Sequence, residues 1–208
     1  HAVHMVRAAR RKGARFVWNQ DGVAYPAWMP SGWQKVNAEM SRLLQSADYV
    51  FYQSEFARLS AGQFLGKRSG PSEVLYNAVN TDFFSPAPNG NSSDKLVLLT
   101  VGSQYHFYPL ECAIRTLASI HRFRPRTRLI VAGKVQDHLL KPTQQLISGL
   151  GLEEHITFLP PFTQEEAPGV FRRCDILLHT KIQDVCPGVV IEAMACGLPC
   201  VATRVGCV

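Results

Sequence analysis

Short, continuous apolar runs recur along this chain and are separated by stretches of helical period. Phe16-Val17-Trp18, Tyr49-Val50-Phe51-Tyr52 and Val74-Leu75-Tyr76 read as strands in the first portion. Leu96 to Val101, Leu129 to Ala132, Ile156 to Leu159, Ile176 to Leu178 and Cys200 to Ala202 follow, with amphipathic segments such as 110–122 and 138–150 between them. A strand buried on both faces reads as an unbroken apolar run, whereas one exposed on one face alternates. Uninterrupted runs joined by helices therefore predict an α/β fold with doubly wound parallel sheets.

The 208 residues leave room for one domain and a remainder, and 46% hydrophobic with 18% charged residues is a composition that buries a core. The polar, turn-rich stretch Ser85-Pro86-Ala87-Pro88-Asn89-Gly90-Asn91-Ser92-Ser93-Asp94 marks the clearest boundary. It divides the chain into a portion over 1–86, a linker over 87–94 and a portion over 95–208. No apolar run approaches the roughly 20 residues of a membrane span. His1 is not an initiator and the chain stops at Gly206-Cys207-Val208, just after a strand-like run. An internal portion of a longer protein is expected.

The net charge of +6 is concentrated in Arg7, Arg10, Arg11, Lys12 and Arg15, interleaved with alanines on an expected helix. Such a run is first a solvated helix face, and second a surface for a peripheral contact with an anionic membrane. No aromatic–basic alternation or nucleic-acid module accompanies it, which argues against nucleic acid. The six cysteines lie mostly in apolar or helical runs without a zinc-ligand pattern. Reduced, buried thiols in a cytoplasmic protein are expected.

The chemistry concentrates in Asp184-Val185-Cys186-Pro187-Gly188-Val189-Val190-Ile191-Glu192-Ala193-Met194-Ala195-Cys196-Gly197-Leu198-Pro199. Proline near a helix start and glycine just past its end frame a short buried helix. The free amides at its start suit a phosphate. Asp184 precedes that start and Glu192 lies one turn inside it, so the two can hold hydroxyl groups on either side of the phosphate.

This segment resembles the acidic signature of retaining glycosyltransferases of the group 1 type (family four, the GT-B fold). Their pattern is Glu, seven residues, Glu, then Ala-Met-Ala-x-Gly-x-Pro; Asp184 stands for the first Glu, and Glu192 to Pro199 match without a gap. Leu75 to Pro86 resembles the interdomain motif Asn-x-Val-Asp-x-x-x-Phe-x-Pro, with Asn80 where Asp is usual. Ala47-Asp48-Tyr49-Val50 through Ser54-Glu55-Phe56 looks like the last strand and helix of the family's N-terminal domain.

The resemblance implies two Rossmann-like domains, both incomplete: the tail of an acceptor domain and most of a nucleotide-sugar donor domain. It further implies transfer of a sugar from a nucleoside-diphosphate donor with retention of configuration, without a bound metal or other cofactor. By motif matching Asp184 holds donor-sugar hydroxyls, Glu192 grips the ribose, and the backbone at Pro187, Gly188, Val189 and Val190 faces the diphosphate, Pro187 itself lacking an N–H. From the residues themselves, Gly102 after its strand is either a place of close backbone approach to the donor or a plain turn glycine, and Lys181, in the loop after a strand end, is either a cation for the phosphates or a solvated side chain. His179, also at that strand end, is either a donor contact or a plain strand terminus.

One departure matters. The family often has Gly-Arg after the first donor-domain strand and Lys five residues further, both touching phosphate; here Ser103 and Tyr108 occupy those places. Lys181 is the leading substitute, with Arg115, Lys134 and His106 behind it. Trp18, Asn19, Gln20 and Asp21 end a strand on the cleft side, where they can touch the acceptor; Trp18, Trp28 and Trp33 fit packing better. The acceptor is a carbohydrate, a lipid-linked group or another small molecule. The competing readings are a sugar phosphorylase or synthase on the same scaffold and a non-catalytic sugar-nucleotide-binding partner subunit.

Overall fold

A computed structural model of the chain describes residues 2–27, 29–88, 95–204 and 206–207. Residues 89–94 of the expected linker, and Trp28, lie outside them. Two compact units emerge. The first comprises His1–Asn77 with Gln183–Pro187 and Val205–Val208; the second comprises Ala78–Ile182 with Gly188–Arg204.

The first unit opens with helix α1 (Ala2–Arg11), none of whose residues is buried. Arg10 pairs with Asp48 at 3.1 Å, while Arg7, Arg11, Lys12 and Arg15 are exposed, as a solvated basic face requires. Strands β1 (Val17–Gln20), β2 (Tyr49–Tyr52) and β3 (Ser72–Val74) form a parallel sheet in the order β1-β2-β3. Parallel pairing demands crossovers, which helices α2 (Trp33–Ser46) and α3 (Glu55–Phe64) provide. Leu44, Val50, Tyr52, Ala57 and Ala61 form the core beneath them. Asn37 is buried within α2 because its amide serves both Ala24 N and Ala24 O, at 2.8 and 2.9 Å. Helix α3 starts where Ser54 accepts a hydrogen bond from Ala57 N at 3.0 Å, with Glu55 in the first turn against the helix dipole.

The second unit carries β4 (Val97–Val101), α4 (Phe107–His121), β5 (Arg128–Ala132), α5 (Asp137–Leu150), β6 (Ile156–Leu159), α6 (Ala167–Phe171), β7 (Ile176–His179), α7 (Gly188–Ala195) and β8 (Cys200–Ala202). The sheet order is β6-β5-β4-β7-β8, with every pairing parallel. Successive strand residues serve opposite faces. Leu98, Leu129, Val131 and Leu178 pack with Leu110, Ile114 and Leu117 of α4 and Leu139 and Ile147 of α5. Leu99, Val101, Ala132 and Leu177 pack with Val170 and Phe171 of α6 and Val190 and Ala193 of α7. The inner strands β4, β5 and β7 are thus covered on both sides, which is why they read as unbroken apolar runs, whereas the edge strands β6 and β8 expose Phe158 and Val201. Among the described residues, no helix is long and apolar enough to cross a membrane.

Candidate functional site

The strand order of the second unit reverses at β4. From β4 the chain runs outward through β5 to β6, then returns to the other side of β4 as β7. Ligands of open parallel sheets bind at such a switch point, outside the carboxyl ends of the strands. The residues just past β4 and β7 are therefore the first place to look. They are Gly102 and the segment Thr180-Lys181-Ile182.

Gly102 adopts φ +98°, and Gly133, just after β5, adopts φ +112°. A Cβ on Gly133 would lie 2.8 Å from Gly102 O, so the two backbones approach more closely than a side chain permits. Gly102 N donates to Ala132 O at 3.0 Å and Gln104 N donates to Lys134 O at 2.8 Å, extending the ladder past the strand ends. The loop then reaches His106, which precedes α4 and stacks its ring on Tyr108 with centroids 5.9 Å apart.

The β7 loop is held residue by residue. Thr180 Oγ1 donates to Pro109 O at 2.9 Å, Thr203 Oγ1 donates to Lys181 O, and Ile182 N donates to Tyr108 Oη at 3.4 Å. Of the other candidate cations, Arg115 pairs with Glu111 one turn earlier on α4 at 2.9 Å. Lys134 is exposed beside Gly133.

Helix α7 begins at Gly188, one residue after Pro187. Gly188, Val189 and Val190 form its first turn, whose amides lack intrahelical acceptors and carry the positive end of the dipole. The far end closes as expected for glycine. Gly197 takes φ +77°, Gly197 N donates to Met194 O at 2.9 Å, and Leu198 N donates to Ala193 O at 2.9 Å. A Cβ on Gly197 would meet Pro86 at 3.3 Å. The segments resembling the acidic signature and the interdomain motif are thus packed glycine against proline.

Val190 and Ala193 of α7 face the core, and Glu192 lies on the partly exposed flank. Burial raises its carboxyl above the ordinary value, and the Gln164 side chain, whose Nε2 reaches Glu192 Oε1 at 3.5 Å, partly opposes this. A carboxylate held in that setting gains most from a hydroxyl or amide donor that a ligand brings.

Asp184 and Pro187 fall in the first unit, and the others (Gly102, Lys181, Gly188, Val189, Val190 and Glu192) fall in the second. Around Asp184 three successive carbonyls are each held. Cys207 N donates to Asp184 O at 3.1 Å, Ser54 Oγ to Val185 O, and Asn77 Nδ2 to Cys186 O at 2.9 Å. Ser54 therefore starts α3 and also anchors this loop. Nothing in the local sequence of Ser54, Asn77, Tyr108 or Thr203 announces these roles, since their partners lie far along the chain. Gln20 departs from the acceptor role: it is fully buried, its amide bonded to Trp18 Nε1 at 2.8 Å and to Gly22 O. Trp33 packs edge-on against Phe64.

All six cysteines are free. Burial raises the thiols of Cys186, Cys196 and Cys200, and pushes Cys174 up to about 12, so these groups are neutral packing side chains at neutral pH. Among the described residues, no group of three or more His, Cys, Asp or Glu side chains stands placed to hold a metal ion.

Residues 82–208 match the family profile of the glycosyl transferases group 1. The chain belongs to that family. A curated relative, the D-inositol 3-phosphate glycosyltransferase of Mycobacteroides abscessus, is 33% identical over 143 residues, covering 64% of this chain and 32% of the relative. The GDP-mannose-dependent alpha-(1-6)-phosphatidylinositol monomannoside mannosyltransferase of Mycolicibacterium smegmatis is 28% identical over 218 residues, covering 95% of this chain and 54% of that protein. The chain thus spans about a third to a half of the length of these group 1 relatives. Among solved structures, HepE from Anabaena in complex with UDP and glucose superposes with a TM-score of 0.85 at 22% identity, over 98% of this chain and 57% of HepE. WaaG, a glycosyltransferase involved in lipopolysaccharide biosynthesis, gives 0.75 at 19% identity, over 97% of this chain and 63% of WaaG. The α/β class with parallel sheets and the GT-B likeness expected from the sequence both hold.

Proposed function

We propose that this chain is the part of a group 1 glycosyltransferase that binds a nucleoside-diphosphate sugar, and that the whole enzyme transfers the sugar with retention of anomeric configuration. The observation that carries this reading is α7. The N-terminus of α7 follows β7 on the carboxyl side of the parallel strands, with the half-buried Glu192 carboxyl one turn inside it. The relatives support it: HepE was crystallised with UDP and glucose, and the mycobacterial mannosyltransferase is GDP-mannose-dependent.

The roles follow from where charge develops. As the sugar departs, negative charge grows on the diphosphate, and fixed donors aimed at it stabilise the transition state more than the ground state. The amides of Gly188, Val189 and Val190, with the Lys181 ammonium, supply those donors. Glu192 accepts from the ribose hydroxyls, and Asp184 accepts from hydroxyls of the donor sugar. Both carboxylates position the donor; neither is a nucleophile. The acceptor hydroxyl attacks from the face the diphosphate leaves, and its proton passes to the departing phosphate oxygen. No resident metal ion is assigned a part.

Incubating the intact protein with labelled nucleotide sugars and a panel of carbohydrate and lipid-linked acceptors tests the proposal, with product configuration read from the proton coupling of the anomeric centre. The expected result is transfer that persists in EDTA, gives a product of the donor's configuration, and drops at least about 100-fold in Asp184→Ala, as for loss of a transition-state hydrogen bond. An inverted product would refute retention. Nucleoside diphosphate binding without any transfer would favour the non-catalytic subunit, which Ser103 and Tyr108 at the clamp positions also suit.

A further inference from the structure

The loop that carries Lys181 is tied down at three consecutive residues. Two ties run to the first turn of α4: Thr180 Oγ1 to Pro109 O at 2.9 Å and Ile182 N to Tyr108 Oη at 3.4 Å. The third comes from beyond β8, where Thr203 Oγ1 donates to Lys181 O. Thr203 N also donates to His179 O at 3.1 Å, which continues the β7–β8 ladder into the loop. A loop at a switch point is ordinarily among the more mobile parts of a fold, and a lysine on four rotatable bonds is a poor electrostatic element unless its backbone is fixed. Here the chain on both sides of Lys181 is held, by the first turn of α4 and by Thr203 just past β8.

Tyr108 supplies one of those ties from the position where the resembling enzymes carry a phosphate-contacting lysine. Its ring is itself held, stacked on His106 at an interplanar angle of 20°. A tyrosine cannot bring positive charge to a diphosphate, but it accepts a backbone N–H across the switch point.

We propose that Tyr108 is a positioning residue for Lys181: the cation missing from the β4–α4 loop is supplied by the β7 loop, and Tyr108 fixes that loop in register. This rests on the reading of the site as one for a nucleoside diphosphate. The ligand chemistry is the diphosphate group, so the effect belongs to nucleoside diphosphates and not to nucleosides. Tyr108 acts through Lys181, so its contribution vanishes when Lys181 is gone.

A double-mutant cycle by calorimetry tests this, using the nucleoside diphosphate that binds the wild-type protein most tightly and the matching nucleoside. Lys181→Ala is expected to weaken the diphosphate roughly tenfold or more, and Tyr108→Phe roughly threefold to tenfold, as for a charge-assisted and a neutral hydrogen bond respectively. Nucleoside affinity is expected to stay unchanged in both, and Tyr108→Phe is expected to cost nothing further in the Lys181→Ala background. An equal loss in both backgrounds, or a loss shared by the nucleoside, would overturn the proposal and make Tyr108 a packing residue. Full diphosphate affinity in either single variant would overturn it as well, while leaving the donor site intact. A wild-type protein that binds no nucleoside diphosphate removes the donor-site reading itself.

Discussion

Glu192→Gln is expected to weaken nucleoside-diphosphate binding by roughly tenfold to a hundredfold, as for a lost hydrogen bond to a charged acceptor. The same substitution is expected to leave the unliganded protein as stable at neutral pH as before, or more so. Burial raises the Glu192 carboxyl, so the fold binds its proton more tightly than the unfolded chain does. The stability that Glu192 contributes is therefore complete below the unfolded carboxyl value and is lost as pH rises through the raised folded one. Glutamine does not titrate. The melting temperature of Glu192→Gln relative to wild type should accordingly climb as pH rises through that window and level off above it. Nucleotide affinity of the wild type should move the opposite way from its stability, increasing as the carboxyl ionises. A Glu192 kept only for its contact with Gln164 would give the reverse: Gln would lower stability and spare nucleotide affinity.

Gly133→Ala is expected to be the most destabilising single methyl that the donor-side sheet edge can receive. The added Cβ meets Gly102 O at 2.8 Å and Gly102 C at 3.0 Å, both backbone atoms that cannot turn aside, and φ at Gly133 is +112°. Backbone strain of this kind costs roughly 1–3 kcal/mol, and the overlap places the expected loss near the upper end, about 3 kcal/mol. For a chain of this size that is a fall of roughly 6–12 °C in melting temperature. Gly102 is the residue displaced, so diphosphate affinity should fall as well. Thermal melts of Gly133→Ala beside Gly149→Ala make the comparison, because Gly149 has open space around its Cβ. Equal melting temperatures for the two would show that the close approach of the β4 and β5 ends is not maintained in solution.

What could be read from the sequence, and what could not, divides by range. The runs Tyr49–Tyr52, Ile156–Leu159 and Cys200–Ala202 are strands over those same residues, and the helix expected over 138–150 runs from Asp137 to Leu150. Apolar runs leave a one-dimensional mark even at the sheet edges, where Phe158 and Val201 are exposed; burial on both faces accounts for the inner strands β4, β5 and β7. Strand β3 shows the limit. The apolar run Val74-Leu75-Tyr76 suggests its place, yet the strand is Ser72–Val74, and Leu75 and Tyr76 are exposed. At a sheet edge the pairing is set by backbone hydrogen bonds to β2, so hydrophobicity misplaces it by two residues. Around α7 the proline, glycine and carboxylate were legible because their jobs are local. The anchors of the Asp184 loop were not. Ser54 bonds a carbonyl 131 residues away and Asn77 one 109 residues away. Side-chain donors to distant backbone carbonyls carry no periodic or compositional trace. Tyr108 was visible only as a departure from the family's pattern; the 74 residues to Ile182 hid what it does instead.

On the proposed reading, the second unit holds a nucleoside diphosphate between the strand ends and the start of α7. Calorimetric titration of the intact protein with UDP, GDP and ADP, in wild type and Glu192→Gln, tests it most directly. One diphosphate should bind, and Glu192→Gln should weaken it by at least tenfold. Absence of binding for all three, or binding that Glu192→Gln leaves unchanged, would contradict it.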